Sequence, residues 1–356
     1  MKSQEKVLMK GNDAIAEAAI RAGCTAYFGY PITPQNEIIA YMAKHMLDKD
    51  RIFIQAESEI AAIIMVYGAS AAGARAMTSS SSPGISLKQE GLSYAAGADV
   101  PVVMVNISRG GPGLGNISPS QGDYFQSTRG GGHGDYRSIV LAPKSVQECA
   151  DLTYSAFDLA EKYRIPVIIL ADGMIGQMME DVILPRERPL EELPKRDWIV
   201  GNMSNRESRH VTSISLIPED LEEITKQRFL RYETIKEKET LFETVGAEEA
   251  DLTIIAYGTS ARVALGAKKL AEKEGIKLGV FRPITLWPFP NKEIAKIAKR
   301  GKPILTVEMS MGQLVEDVKL AVLESAPVHL LARPGGVIPT EEEVFAKAKE
   351  IMGGQR

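Results

Sequence analysis

Residues 25–47, TAYFGYPITPQNEIIAYMAKHML, join an apolar strand-like run to an amphipathic helix-like run through a Tyr-Pro-Ile-Thr-Pro corner. Thr33 suits a helix N-cap, because its hydroxyl can accept a free backbone N–H. Pro34 suits the first helical position, where its missing N–H costs nothing. The corner therefore reads as the mouth of a helix at the carboxyl end of a strand. That is either a stability device or the place where open α/β sheets hold anionic ligands.

The same alternation runs outward on both sides. KVLMKG precedes NDAIAEAAIRAG, and RIFIQA precedes SEIAAIIMVYGASAAG. RAMTSSS, a helix near Ile85 to Ala98, VPVVMVNIS, SIVLAP, SVQECADLTYSAFDLAEKY and PVIILAD then follow. Several strands are apolar throughout, as in a parallel sheet covered by helices on both faces. The expected class is α/β, with two doubly wound domains. Residues 1–185 form the first and 186–245 a charged connector. Residues 246–356 form a smaller second domain, where alternation resumes with DLTIIAYG and TSARVALGAKKLAEKEG.

The chain has 356 residues, with 42 basic and 46 acidic side chains and a net charge of −4. No global field attracts nucleic acid or an anionic membrane, so any anion site is local. No apolar run is long enough to span a bilayer and MKSQEKVLMKG has no signal-peptide core, so a cytoplasmic location is expected. The two cysteines, Cys24 and Cys149, are far from a Cys-x-x-Cys spacing, which excludes a cysteine-ligated iron–sulfur or zinc site on this chain.

Four segments of the first domain can carry chemistry. Thr33 is one. Glu57 and Glu59 stand where a strand meets a strongly apolar helix. There a carboxylate either favours the helix dipole or, if buried, shares a proton with a ligand. Small residues from Gly68 to Gly73 suit close packing of that helix on another backbone. TSSSSPGISLKQEG offers hydroxyls and backbone N–H groups at a strand-to-helix turn. Finally, nine glycines between Arg109 and Asp135 follow a buried strand, without the spacing of a dinucleotide fingerprint or a P-loop. Arg109 is either a surface arginine or a fixed fork for a small carboxylate; His133 reads as solvent-exposed.

Together YPITPQ at 30–35, ESEIAAIIMVYGASAAGARAMTSSSSPG at 57–84, SRGGPGLG at 108–115 and RPITLWPFP at 282–290 resemble the alpha subunit of thiamine-diphosphate-dependent 2-oxoacid:ferredoxin oxidoreductases. GPGLGNISPSQGDYFQSTRGGGHGDY is similar to subunits of the branched-chain (3-methyl-2-oxobutanoate) type. The resemblance implies a pyrimidine-type thiamine-diphosphate-binding domain followed by a transketolase-C-terminal-like domain. It implies that Glu59, nine positions before Gly68, binds N1′ of the cofactor ring and favours the tautomer whose 4′-nitrogen takes the C2 proton. Pro31, Ile32 and Ser82 would also line the cofactor, while Arg109, Thr33 and Ser118 would hold the 2-oxoacid.

The chain lacks the Gly-Asp-Gly…Asn motif that grips diphosphate and magnesium. The resemblance therefore implies half an active site. A beta subunit would supply the diphosphate–Mg2+ half, gamma and iron–sulfur delta subunits the [4Fe-4S] clusters, with coenzyme A as co-substrate and ferredoxin as acceptor. Leu114 stands where the 2-oxoglutarate pattern has threonine, which favours an apolar substrate. A 2-oxoglutarate enzyme and a non-catalytic anion-binding scaffold stay open, and an NAD-linked oxidoreductase is disfavoured by the missing fingerprint.

Overall fold

A computed structural model describes residues 6–201 and 208–354. The first part runs β1 (Val7–Lys10), α1 (Gly11–Arg21), β2 (Ala26–Gly29), α2 (Asn36–His45), β3 (Ile52–Gln55), α3 (Glu59–Ala71), β4 (Ala76–Ser80) and α4 (Ser82–Gly97). It continues with β5 (Val102–Ser108), α5 (Tyr124–Thr128), β6 (Ile139–Leu141), α6 (Val146–Tyr163), β7 (Pro166–Asp172), α7 (Gly173–Gln177) and β8 (Met179–Val182). After α8 (Pro218–Lys238) come β9 (Phe242–Val245), β10 (Leu252–Ile255), α9 (Gly258–Lys273), β11 (Leu278–Pro283) and β12 (Thr285–Trp287). The chain ends with α10 (Asn291–Ala298), β13 (Ile304–Glu308), α11 (Leu314–Val322), β14 (Val328–Ala332) and α12 (Glu341–Gly353).

Among the described residues, seven strands form the larger sheet in the order β12-β6-β7-β5-β4-β2-β3. β2 through β7 are mutually parallel, and β5 and β7 are buried along their whole length, as the continuous apolar runs require. The chain leaves β2 toward β3 on one side and returns to β4 on the other. β2 and β4 pair at Ala26–Ala76 and Tyr27–Met77, while β2 stays paired with β3 out to Gly29–Gln55. This reversal of strand order, at the carboxyl ends, is the ligand position of open α/β sheets.

Two strands lie elsewhere than the alternation alone suggests. β1 joins β8 in an antiparallel two-stranded ribbon outside the large sheet. β12, inside RPITLWPFP, pairs antiparallel with β6 and so extends the first sheet from the far end of the chain. The remaining five strands form the second sheet in the order β14-β13-β10-β11-β9, with β9 antiparallel at its edge.

The charged stretch after β8 contains α8, 21 residues long, although its sequence shows no strand–helix alternation. Pro218 starts it, Glu219 and Asp220 fill its first turn and Lys236 and Lys238 its last, which suits the helix dipole. It rests on the first sheet's layer through buried Tyr232 and Ile235, and through Arg228 and Arg231 on the Asp99 carboxylate. No helix among the described residues is long and apolar enough to cross a membrane.

Candidate functional site

The corner after β2 is a turn rather than a helix cap. The Thr33–Pro34 peptide is cis, and Gln35 N donates to Ile32 O at 3.1 Å, the arrangement of a type VI turn. α2 then starts at Asn36, with Gln35 before it and no side-chain cap. This overturns the reading of Thr33 as N-cap and Pro34 as first helical residue. The turn frees the Thr33 hydroxyl, which accepts only a long 3.4 Å contact from Asn36 Nδ2 among the described residues. The Pro34 carbonyl is held by Asn12 and Gln177, and buried Gln35 by Ser79, which Tyr27 also contacts. Pro31 is exposed and Ile32 half-buried on the outer side of the turn.

At the same end of the sheet, Ser58 caps α3 by accepting from Ala61 N, with Glu59 buried and Glu57 exposed. Glu59 is 7% exposed, and its carboxylate has no hydrogen-bond partner among the described residues. α4 packs on it through one stripe: Gly84, Lys88 and Gly91. A Cβ at Gly84 would lie 2.5 Å from Glu59 Oε1 and would also strike the Ser80 hydroxyl. One at Gly91 would lie 2.6 Å from Ile63 Cγ2. Close packing of α3 therefore comes from the glycines of α4. Gly68, expected to serve this purpose, has nothing within 4 Å of its Cβ position.

Lys88, between those glycines, is fully buried and was not singled out by the sequence. Its Nζ donates to Thr78 Oγ1 at 3.1 Å and to the Glu59 carbonyl oxygen at 3.3 Å. Burial pulls its amine down to about 7, against the opposing attraction of Glu59.

Across the reversal point, Ser82 begins α4 and fastens Arg109. Its hydroxyl accepts from Arg109 N at 3.0 Å and donates to Asp123 at 2.6 Å, and Asn106 holds the same carboxylate oxygen. The Arg109 guanidinium donates from Nη1 to Thr33 O at 2.9 Å and from Nη2 to Leu114 O at 3.2 Å. Its Nε is buried without a partner, as are the hydroxyls of Ser80, Ser81 and Ser108. Thr33, Ser82 and Arg109 thus form one bonded unit, and Glu59 lies beside it through Gly84.

Ser118 is half-buried behind the glycine loop, where its carbonyl accepts from Gly110 N and Arg109 bridges to Pro119. The C-terminal domain backs this loop. Asn116 Nδ2 donates to Gly335 O at 2.8 Å, and buried Gln121 bonds Tyr257 O, Ser260 Oγ and Met309 N. The side chains of Leu114 and Ile117 remain 81% and 63% exposed. His133 lies outside the cluster, exposed and edge-on to Tyr94. Cys24 and Cys149 are buried, which pushes the Cys24 thiol up to about 12 and raises that of Cys149.

A buried glutamate whose carboxylate is unpartnered among the described residues, a fixed guanidinium with a spare N–H and orphaned hydroxyls, gathered at the strand reversal, suit a polar ligand with both donor and acceptor atoms. Comparison with known proteins identifies the kind. The family profile described as "Pyruvate flavodoxin/ferredoxin oxidoreductase, thiamine diP-bdg" matches residues 17–258, and "Pyruvate:ferredoxin oxidoreductase core domain II" matches 250–344. The chain belongs to the 2-oxoacid:ferredoxin oxidoreductases.

Among its relatives in this family, the ketoisovalerate oxidoreductase subunit VorB of Methanothermobacter marburgensis is 49% identical, over 97% of this chain and 98% of that protein. The 2-oxoglutarate synthase subunit KorA of Archaeoglobus fulgidus is 40% identical, over 88% of this chain and 91% of that one. The structure of 2-oxoglutarate:ferredoxin oxidoreductase from Magnetococcus marinus, with 2-oxoglutarate, coenzyme A and succinyl-CoA bound, superposes with a TM-score of 0.88 at 29% identity. That match covers 99% of this chain and 66% of the other. A split-gene transketolase shares the fold alone, with a TM-score of 0.57 at 14% identity. The relatives are named as subunits, so this oxidoreductase chain works with partner subunits.

Proposed function

We propose that the chain is the thiamine-facing subunit of a complex that oxidatively decarboxylates 3-methyl-2-oxobutanoate to its acyl-CoA and passes the electrons to ferredoxin. The observation that carries this reading is the Glu59 carboxylate, on a buried side chain and without a hydrogen-bond partner among the described residues, at the point of strand reversal. Thiamine diphosphate, when bound, supplies the electron sink for removing the carboxyl group of a 2-oxoacid. In this reading Glu59 holds a proton between its carboxyl and the ring nitrogen N1′, and Pro31, Ile32 and Ser82 shape the wall beside it.

Arg109 presents its free N–H groups to the substrate carboxylate. Two backbone carbonyls already fix the guanidinium plane, so little side-chain freedom is lost on binding. The Thr33 hydroxyl, released by the turn, donates toward the 2-oxo oxygen, and Ser118 lines the far side. Residues 1–185 and 246–356 act as the two domains, with 186–245 as a connector whose last strand, β9, joins the second sheet while β12 reaches back to the first. A beta subunit brings the diphosphate and Mg2+ contacts, gamma and delta subunits complete the complex with its [4Fe-4S] clusters, and the assembly works in the cytoplasm.

The branched-chain substrate is favoured by the 49% identical relatives named for ketoisovalerate. The KorA relatives make 2-oxoglutarate the second reading. Assay of the purified complex against a panel of 2-oxoacids, with ferredoxin as acceptor, decides between them. Preference for 2-oxoglutarate overturns the substrate, and failure of Glu59→Gln to slow exchange of the cofactor C2 proton overturns the site.

A further inference from the structure

The stripe Gly84, Lys88, Gly91 places a lysine where close helix packing asks for something small or apolar. Gly84 and Gly91 bring α4 against Glu59 and Ile63 of α3, and the side chain of Lys88 runs along the seam between them. Its stem passes through a region with no water access, and its nitrogen ends against the first turn of α3. The ammonium has three donors. One goes to Thr78 Oγ1 of β4 at 3.1 Å and one to the Glu59 carbonyl oxygen at 3.3 Å.

An amine kept from water is costly unless its surroundings use it. Here its partners are the backbone of Glu59 and a strand hydroxyl two residues before Ser80, whose own hydroxyl crowds Gly84 together with the Glu59 carboxylate. One anchor of Lys88 is thus the backbone of Glu59 itself, and the other is the strand that carries Ser80. The charged and titratable neighbours are few. α3 contributes Glu59, and Glu57 faces solvent. β4 contributes hydroxyls only, and among the described residues Glu59 is the one charge that acts on the amine.

We propose that Lys88 is a positioning residue for Glu59: by bonding the Glu59 carbonyl and Thr78 it fixes the first turn of α3 and places a titratable positive charge behind the carboxyl that faces the cofactor. The inference rests on the reading of Glu59 given above. Burial draws the amine down to about 7, against the attraction of Glu59, so the charge on this anchor changes around neutral pH.

The test uses the assembled complex with Lys88→Met, Lys88→Arg, Thr78→Val and Glu59→Gln. Backbone amide exchange, followed by mass spectrometry without cofactor, reports on the first turn of α3, and calorimetry gives the thiamine diphosphate affinity. Exchange of the cofactor C2 proton is then measured from pH 5.5 to 8.5. In Lys88→Met, amides 59–62 exchange at least about fivefold faster. The wild-type C2-exchange profile is expected to titrate near pH 7; Lys88→Met loses that titration, and Lys88→Arg keeps the rate but also loses it. Thr78→Val, which removes one anchor and keeps the charge, retains the titration and serves if Lys88→Met does not assemble. A Lys88→Met profile that superposes on the wild type, or a Thr78→Val profile without the titration, overturns the proposal. Wild-type exchange in Glu59→Gln overturns instead the underlying role of Glu59.

Discussion

Arg109 Nη1 donates to the carbonyl oxygen of Thr33 at 2.9 Å, tying the end of β5 to the loop that leaves β2 across the reversal of strand order. Two of the three residues proposed to hold the 2-oxoacid are therefore one mechanical unit, with the second fork nitrogen on Leu114 O and the backbone clipped by Ser82. Lysine keeps the charge but cannot span both carbonyls. Arg109→Lys should lower kcat/KM for the 2-oxoacid by about a hundredfold through misplacement of the substrate. Calorimetric affinity for thiamine diphosphate should stay near that of the wild type. Unchanged kinetics would mean that the substrate carboxylate is held by other groups.

Gly84→Ala separates helix stability from site geometry. Alanine favours a helix interior by about 0.5–1 kcal/mol over glycine. The added methyl, however, needs the space of Glu59 Oε1, 2.5 Å away, and of the Ser80 hydroxyl. Every atom in the way belongs to a side chain, Glu59 with its Cγ as well as its carboxylate and buried Ser80 with its hydroxyl, so rotation of these two side chains is the expected accommodation. The expected outcome is a melting temperature within a few degrees of the wild type, with C2-proton exchange slowed by about a hundredfold. A simultaneous collapse of stability and exchange would show that the backbone, not the carboxylate, yields.

How much of this was legible in the sequence depends on range. Alternation of apolar runs and helical patterns gave the α/β class, because burial on both faces of a parallel sheet leaves a local signature at β5 and β7. Glu59 and Arg109 stood out because each interrupts such a pattern at a strand end. Thr33 was misread as a helix cap, since letters that suit a cap equally suit a cis-proline turn and the choice is made by Asn12, Gln177 and Arg109 from distant segments. The pairing of β12 with β6 was invisible for the same reason. Lys88 had a usable signal: its spacing from Gly84 and Gly91 sets all three on one helical face.

Gln121 holds the glycine loop to the C-terminal domain with both ends of its amide. Oε1 accepts from Ser260 Oγ at 2.8 Å and Met309 N at 2.9 Å, while Nε2 donates to Tyr257 O at 2.8 Å. Gln121 is 2% exposed, so Gln121→Ala strands buried partners away from water. A loss of about 2–4 kcal/mol is expected, seen as a lower melting temperature. The substrate KM should rise with it, because Asn116 and Ser118 lie on the same loop. A normal melting temperature would show that the latch carries no load.

Lys88 also makes a prediction about stability and pH that does not involve the cofactor. Burial holds its folded-state amine down to about 7, with Glu59 pulling the other way, whereas a lysine in an unfolded chain titrates near about 10.4. Between these values the unfolded chain binds a proton that the folded chain has released, so stability rises with pH across that window. Below about pH 7 both states carry the charge and the full burial penalty is present; as pH climbs above 7 the folded amine is neutral and the penalty is progressively relieved. Lys88→Met has no proton to exchange at this site, while all other titrations are shared and cancel in the comparison. Calorimetric melting of both proteins at constant ionic strength should show the advantage of the methionine variant, or its smallest deficit, at pH 6.5. The wild type should then gain on it steadily up to pH 9.5. Parallel curves across that range would mean that the amine keeps its proton inside the seam between α3 and α4.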